Sequence, residues 1–217
     1  MKLFAHPFSS YCQKVLIALY ENGTPFEYVL LAPEQPQAFA ELEALWPFRR
    51  FPVLHDAGRA VMESSIIIEH LQLHHPGAVR LIPPAPEHAL EVRFMDRFFD
   101  LYVHTPMQKI VLDCLRPQAE RDGRGVADAR ALLDTAYRWL ERVLAGRTWA
   151  AGGAFALADC AAAPALFYAD WAHRIGSEFA ALRAYRARLL ERASVARAVD
   201  EARPYRAFFP LGAPERD

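Results

Sequence analysis

The residues best suited to binding chemistry lie in one stretch of the first third of the chain. Phe51-Pro52 leads into an apolar strand pattern, and an X-Pro bond is the kind of peptide bond that tolerates the cis form. Glu63 and Ser64 follow where a helix is predicted to begin, so unpaired N–H groups and the positive end of the helix dipole lie beside them. Because a carboxylate pairs with an ammonium group and a helix N-terminus holds a carboxylate, this order of residues predicts a site for a zwitterionic peptide end.

Two further hydroxyls precede the first predicted helix. Ser9 and Ser10 follow a break at His6-Pro7, and the apolar spacing after them predicts a helix that ends near Asn22-Gly23. A serine in this place either caps the helix or donates its proton to a bound group. Cys12 lies one turn further on, and we expect it to be a small buried hydrophobe rather than a redox thiol, because serine occupies the exposed position of the pair and a hydroxyl forms no mixed disulfide.

The hydrophobic pattern around these groups predicts the elements that position them. Strands are predicted at 1–5 and 26–30, helices at 14–20 and 39–45, and a hairpin whose strands, 52–55 and 60–62, flank the Asp56-Ala57-Gly58 turn. A third helix follows Ser64. The order βαβαββα fits one mixed sheet with helices packed on its faces.

These motifs together resemble the thioredoxin-like half of the cytosolic glutathione S-transferases, and among them the serine-type enzymes of the tau and zeta classes or a related bacterial class. The N-terminal motif is similar to their Ser-x-x-Ser-x-Arg-Val-x-Ile-Ala-Leu pattern and reads Ser9-Ser10-Tyr11-Cys12-Gln13-Lys14-Val15-Leu16-Ile17-Ala18-Leu19. The resemblance implies an α/β fold followed by an all-α fold: a thioredoxin-like domain at 1–78, a proline-rich linker at 79–86 and an all-helical bundle at 87–217.

The second part of the chain has helical spacing throughout. Apolar and aromatic residues recur at intervals of three and four in the ranges 87–115, 126–145, 157–173 and 178–202. Phe155 to Asp159 resembles the family's capping segment, but Ala156 stands where relatives carry serine or threonine. We expect the missing hydroxyl to weaken the helix start by about 1 kcal/mol.

The resemblance implies that glutathione is the cosubstrate and that a hydroxyl activates its thiol. A free thiol with a pKa of about 8.5 is only about 3% ionised at pH 7, and lowering that pKa by about two units requires about 2.7 kcal/mol. A charge-assisted hydrogen bond contributes about 1.5 to 3 kcal/mol, and a helix N-terminus adds about 0.3 to 1 kcal/mol. Together they supply the free energy that this change in the thiol pKa requires. The motif favours Ser9 as the donor, with Ser10 or Tyr11 as alternatives and simple helix capping as the remaining one.

The resemblance also assigns roles around the peptide. Phe51, before Pro52, exchanges backbone hydrogen bonds with the cysteinyl part of glutathione, and Glu63 with Ser64 takes the γ-glutamyl end. Arg50 pairs with the glycine carboxylate or is a solvated loop charge.

An apolar second substrate is expected against the helical domain, near a predicted bend at His104-Thr105-Pro106-Met107. Tyr102, Met107 and Phe208 are the candidate substrate residues, although aromatic residues at helical spacing more often belong to the core. No metal site is predicted, because His70 and His74 lack a third ligand of matching pattern.

Composition limits the partners. The 217 residues carry a net charge of −1 and are 53% hydrophobic, which favours a packed protein and argues against a nucleic-acid or membrane partner. Three widely spaced cysteines and the lack of a targeting pattern favour the cytoplasm. The resemblance implies a homodimer and a detoxifying transferase that joins glutathione to a small apolar electrophile. The alternatives are a glutathione-dependent isomerase or dehalogenase, and a noncatalytic protein that binds glutathione or apolar ligands.

Overall fold

The computed structural model describes every residue from Met1 to Asp217. The first seven elements follow the predicted order: β1 (Lys2–Ala5), α1 (Ser10–Glu21), β2 (Glu27–Leu30), α2 (Pro36–Leu45), β3 (Val53–Asp56), β4 (Arg59–Met62) and α3 (Ser64–His74). They form a four-stranded sheet with the strand order β2-β1-β3-β4. The predicted βαβαββα arrangement with one mixed sheet is confirmed.

The sheet has its single parallel pair at the crossover through α1. Strand β1 runs parallel to β2 and antiparallel to β3, so Leu3 lies between Tyr28 and Leu54. Strands β3 and β4 form the predicted hairpin. Its turn residues Ala57 and Gly58 both have positive φ, 48° and 80°, as the tightest hairpin turns require.

The second part of the chain is helical. It contains α4 (Pro86–Phe98), a π-helix (Phe99–His104), α5 (Thr105–Cys114), α6 (Gly123–Leu144), α7 (Leu157–Ala172), α8 (Ala180–Glu191) and α9 (Ala193–Ala202), with short 3₁₀ turns at Gln118–Glu120 and Arg203–Phe208. Helix α7 is buried along almost its whole length and packs against α1, α4 and the π-helix. None of the helices is both long enough and apolar enough to cross a lipid bilayer.

Two of the predicted helices are interrupted. The range 87–115 contains the π-helix, where one extra residue per turn shifts the helical register, and the range 178–202 breaks at Arg192, which has extended backbone angles. The chain stays helical through the six residues of the π-helix, and the break at Arg192 occupies a single residue, so apolar periodicity alone locates neither.

The start of α7 is held by Asp159 instead of a capping hydroxyl. The buried Asp159 carboxylate accepts hydrogen bonds from the Ala156 and Ala150 N–H groups, both at 2.9 Å, and from the Tyr185 hydroxyl at 2.6 Å. Residue 156 is the N-cap, and an alanine there supplies no acceptor for the first turn. One half of a capping box is therefore present and the other is missing.

Substituting Ala156→Ser is expected to raise the free energy of unfolding by about 1 kcal/mol, because the new hydroxyl accepts a first-turn N–H group. Urea unfolding followed by circular dichroism measures the change. Ala154→Ser, in the loop before the helix, is the matched control and should leave the midpoint unchanged. An unchanged midpoint for Ala156→Ser as well would contradict the capping interpretation.

Candidate active site

Two adjoining cavities lie between the sheet domain and the helices. The first, here called the polar cavity, has a volume of about 140 Å³ and is lined by Tyr11, Trp46, Arg50, Phe51, Pro52, Glu63, Ser64, Arg97 and Asp100. The second, the apolar cavity, has a volume of about 260 Å³ and is lined by Phe8, Ser9, Ser10, Phe51, Met107, Gln108, Val111, Tyr168, Phe208, Phe209 and Pro210. Phe51 lines both cavities, so they meet at this residue.

The polar cavity is built by backbone features that the sequence pattern anticipates. The Phe51-Pro52 bond is cis, and Ser64 begins α3 directly after Glu63. Glu63 has a φ of 67°, a conformation that costs free energy for a residue with a Cβ and that is enriched at functional sites. Its side chain caps nothing within the helix, so the first N–H groups of α3 remain available at the cavity.

The charges of the polar cavity are mixed. Arg50 and Arg97 bring two guanidinium groups, and Glu63 and Asp100 bring two carboxylates. Arg97 is partly engaged already, because it donates a hydrogen bond of 3.0 Å to Asp100. A cavity with both signs of charge is suited to a zwitterionic ligand that carries carboxylates and an ammonium group.

Ser9 and Ser10 lie on the wall of the apolar cavity, next to Phe51, and they differ in their partners. Ser9 is the N-cap of α1 and accepts a long hydrogen bond of 3.5 Å from the Cys12 N–H, so its own proton is uncommitted. Ser10 contacts the Nε2 atom of His104. His104 is buried, and this burial, together with the nearby Lys14 ammonium, lowers the pKa of its imidazole to about 3.

The position of the proton on His104 determines whether the Ser10 hydroxyl can donate a hydrogen bond to a ligand. The imidazole is neutral at physiological pH, and its Nδ1 atom is buried without a partner. We assign the proton to Nε2, because an unfilled acceptor at Nδ1 costs less than a buried N–H without a partner. In that state His104 donates to Ser10, and the Ser10 proton also remains free.

Tyr11 and Cys12 are held in their neutral forms. Burial, reinforced by Asp100, raises the pKa of Tyr11 to about 12, so its hydroxyl stays protonated at the edge of the polar cavity. Burial raises the pKa of the fully buried Cys12 to about 12 as well. The Cys12 thiol is therefore an unreactive packing group, as the sequence analysis expects.

The candidate substrate residues divide into two groups. Met107 and Phe208 line the apolar cavity, but Tyr102 lines neither cavity and stacks on Phe98 at 5.2 Å between ring centroids. Sequence reasoning missed the other apolar lining residues, among them Tyr168, whose hydroxyl donates to the Phe8 carbonyl at 3.0 Å. Tyr168 belongs to an aromatic set with helical spacing, and this spacing does not separate a cavity wall from a core.

A buried charge cluster lies below the site and joins the two parts of the chain. The Lys14 ammonium on α1 lies 2.6 Å from Asp96 Oδ1 and 2.9 Å from Asp100 Oδ2. It also donates to Ser65 of α3 at 2.9 Å, and Ser65 donates to Asp96 at 2.7 Å. Lys14 is 1% exposed, so the two carboxylates replace the water that would otherwise solvate its ammonium group.

Comparison with known proteins agrees with this architecture. Residues 3–78 match the family model for the glutathione S-transferase N-terminal domain, and residues 103–193 match the one for the C-terminal domain. Glutathione S-transferase hmp2 of Hypomyces subiculosus is 27% identical over 166 residues, which cover 73% of this chain and 77% of that protein. A probable glutathione S-transferase, GSTU1 of Oryza sativa subsp. japonica, is 30% identical over 70% of this chain and 64% of its own length.

Solved structures show the same fold. A glutathione S-transferase of Methylobacterium radiotolerans, crystallised with glutathione sulfonate, superposes with a TM-score of 0.78 at 30% identity over 91% of this chain and 93% of that one. The enzyme of Methylobacillus flagellatus, crystallised with glutathione, has a TM-score of 0.81 at 24% identity, over 91% of this chain and 98% of its own. The two domain matches together cover most of the chain and lead to one conclusion: the chain belongs to the glutathione S-transferase family.

Proposed function

We propose that this protein joins glutathione, through its cysteinyl sulfur, to a small apolar electrophile. The observation that carries the proposal is the meeting of the polar and apolar cavities at Phe51, beside the hydroxyls of Ser9 and Ser10. A ligand in the polar cavity that reaches Phe51 brings its central part to these hydroxyls. A second ligand in the apolar cavity then lies directly opposite.

The charges of the polar cavity suit the two ends of glutathione. The α-carboxylate of its γ-glutamyl end fits the Ser64 hydroxyl and the free N–H groups of α3, and the ammonium fits the Glu63 carboxylate. The glycine carboxylate fits Arg50, which lines the same cavity. Phe51, preceding Pro52, offers its backbone to the cysteinyl residue between these ends.

The thiol is activated by hydrogen bonding. Ser9, at the N-terminus of α1, donates its uncommitted proton to the thiolate and so lowers the pKa of the bound thiol without losing the proton. The proton of the bound thiol passes to solvent. The thiolate sulfur then attacks the electrophilic carbon and forms a C–S bond, while the electron pair of the broken bond leaves with the departing group. Ser10 is the alternative donor, because its proton is also free when His104 donates to it.

A binding and turnover experiment tests the proposal. We expect calorimetry to show association with reduced glutathione, and we expect conjugation of chlorodinitrobenzene to release chloride. Binding without turnover of any electrophile would favour a noncatalytic ligand-binding protein. Turnover that regenerates free glutathione would favour an isomerase or a dehalogenase, and absence of binding at millimolar glutathione would refute every glutathione-dependent function.

Removing the Ser64 hydroxyl should weaken ground-state binding. Ser64→Ala is expected to raise the KM for glutathione about tenfold with little change in kcat, because the lost hydrogen bond acts on a remote carboxylate in both the bound and the transition state. Steady-state kinetics at varied glutathione measures this split. The exposed Ser177→Ala is the control, and a fall in kcat with unchanged KM would argue against this role.

The quaternary state and the cellular location are part of the same proposal. We propose a homodimer, since Ile66 and Leu73 of α3 and Leu90 and Phe94 of α4 are exposed around the Glu69–Arg93 ion pair that joins these helices. The three cysteines are unpaired, which supports a reducing cytoplasm. We keep 1–78, 79–86 and 87–217 as the proposed domains and linker.

A further inference from the structure

Three side chains of metal-binding type converge where the β3–β4 hairpin meets the end of α3. Asp56 is the last residue of β3, His70 lies in α3, and His75 is the C-cap of the same helix. The Nε2 atoms of both histidines point at the same carboxylate oxygen, Asp56 Oδ2, at distances of 2.9 Å for His70 and 2.7 Å for His75. The three donor atoms all lie within 4.8 Å of one another.

This donor set matches a small divalent transition ion. Two imidazole nitrogens and one carboxylate oxygen form a common catalytic or open zinc donor set, with bonds of about 2.0 to 2.2 Å. Tetrahedral bonds of that length separate neighbouring donor atoms by about 3.3 Å. To surround one ion, the distances from Asp56 Oδ2 to the two imidazole nitrogens must lengthen slightly. The two imidazole nitrogens must also move modestly closer to each other.

The environment supports the same conclusion. The side chains of Asp56 and His70 are 11% and 10% exposed, whereas that of His75 is 34% exposed and leaves an entry path. No lysine or arginine pairs with the Asp56 carboxylate, whose side-chain partners are the two imidazoles.

We propose that Asp56, His70 and His75 form a binding site for a zinc-type divalent ion, with the remaining coordination position open to water. The ion replaces the two hydrogen bonds and ties the hairpin to the C-terminal end of α3. The site is separate from the polar and apolar cavities, and this proposal does not depend on the transferase function.

Calorimetry with zinc chloride and metal-free protein tests the proposal. All variants are made in a Cys114→Ser background, because Cys114 is only partly buried and thiolates are strong zinc ligands. We expect one zinc ion per chain, and we expect Asp56→Asn and His75→Gln each to weaken binding at least about tenfold. His88→Gln removes an exposed imidazole of α4 and is the matched control that should bind like the parent.

Thermal unfolding provides the second measurement. Zinc should raise the Tm of the parent and of His88→Gln, because the ion binds the folded state alone, and it should raise the Tm of Asp56→Asn and His75→Gln much less. Cobalt in place of zinc should give the intense visible absorption of a four- or five-coordinate ion. Absence of zinc binding at micromolar concentrations, or equal binding by the parent and the two ligand variants, would overturn the proposal.

Discussion

Replacing Lys14 by methionine is expected to lower the free energy of unfolding by about 3 to 5 kcal/mol, because it removes the cation from two buried carboxylates. Asp96 and Asp100 are 1% and 5% exposed and lie within 2.9 Å of the Lys14 ammonium. Without it the buried Asp96 carboxylate has no cation, and Asp100 keeps only the half-exposed Arg97, while the two carboxylates repel each other in a medium that solvates them poorly. Urea unfolding followed by tryptophan fluorescence measures the loss.

An exposed ion pair between neighbouring elements supplies the matched control for Lys14. Lys2 of β1 lies 3.5 Å from the Glu27 carboxylate of β2, and the two side chains are 43% and 61% exposed. Lys2→Met should therefore cost less than about 1 kcal/mol. The Lys14→Met deficit should also shrink towards acid pH, because burial raises the pKa of Asp100 and protonation removes its charge. Equal losses for the two variants would show that the buried cluster contributes no more than a surface pair.

The second large effect is expected in catalysis. Ser9→Ala should lower kcat/KM for conjugation by about ten- to 150-fold, the equivalent of a charge-assisted hydrogen bond of about 1.5 to 3 kcal/mol. The cause is a higher pKa of the bound thiol, so the ultraviolet absorbance of the glutathione thiolate in the complex should titrate at higher pH in the variant. The protein should still bind glutathione, because the groups at both ends of the peptide remain.

Ser10→Ala is the control for Ser9, since the two hydroxyls are adjacent and line the same cavity. If Ser9 is the donor, Ser10→Ala should leave the thiol pKa nearly unchanged and affect only the contact with His104. A larger loss for Ser10→Ala would transfer the role to Ser10. Small losses for both variants would leave Ser9 as a helix cap and direct attention to the Tyr11 hydroxyl.

The features that could be predicted from the sequence depend on residues that are close together in the chain. The hairpin around Asp56, the helix start at Ser64 and the stop near Gly23 each depend on local backbone preferences, and each is present. Tyr102, Met107 and Phe208 were all predicted from the family resemblance, and of these Met107 and Phe208 line the apolar cavity. Tyr102 stacks on Phe98 instead.

The features that sequence reasoning missed depend on contacts between distant segments. Asp96 and Asp100 have the spacing of a solvated helix face, and only the approach of Lys14 from α1 makes them a buried cluster. Likewise, the histidines at the end of α3 have no visible third ligand until the hairpin brings Asp56 between them. Local secondary-structure propensity does not indicate which charged side chains become buried by contacts with distant segments.

The π-helix at Phe99–His104 sets the rotation of α5 relative to α4. Because its turn is wider, one continuous helical segment directs Asp100 at Lys14, His104 at Ser10 and, in α5, Met107 at the apolar cavity. Deleting one residue there would turn everything downstream by about 100° relative to the upstream half. Relatives that gain or lose a residue at this point would thus present different side chains to the electrophile while keeping the same fold. Such a change would alter specificity in a way that no single substitution provides.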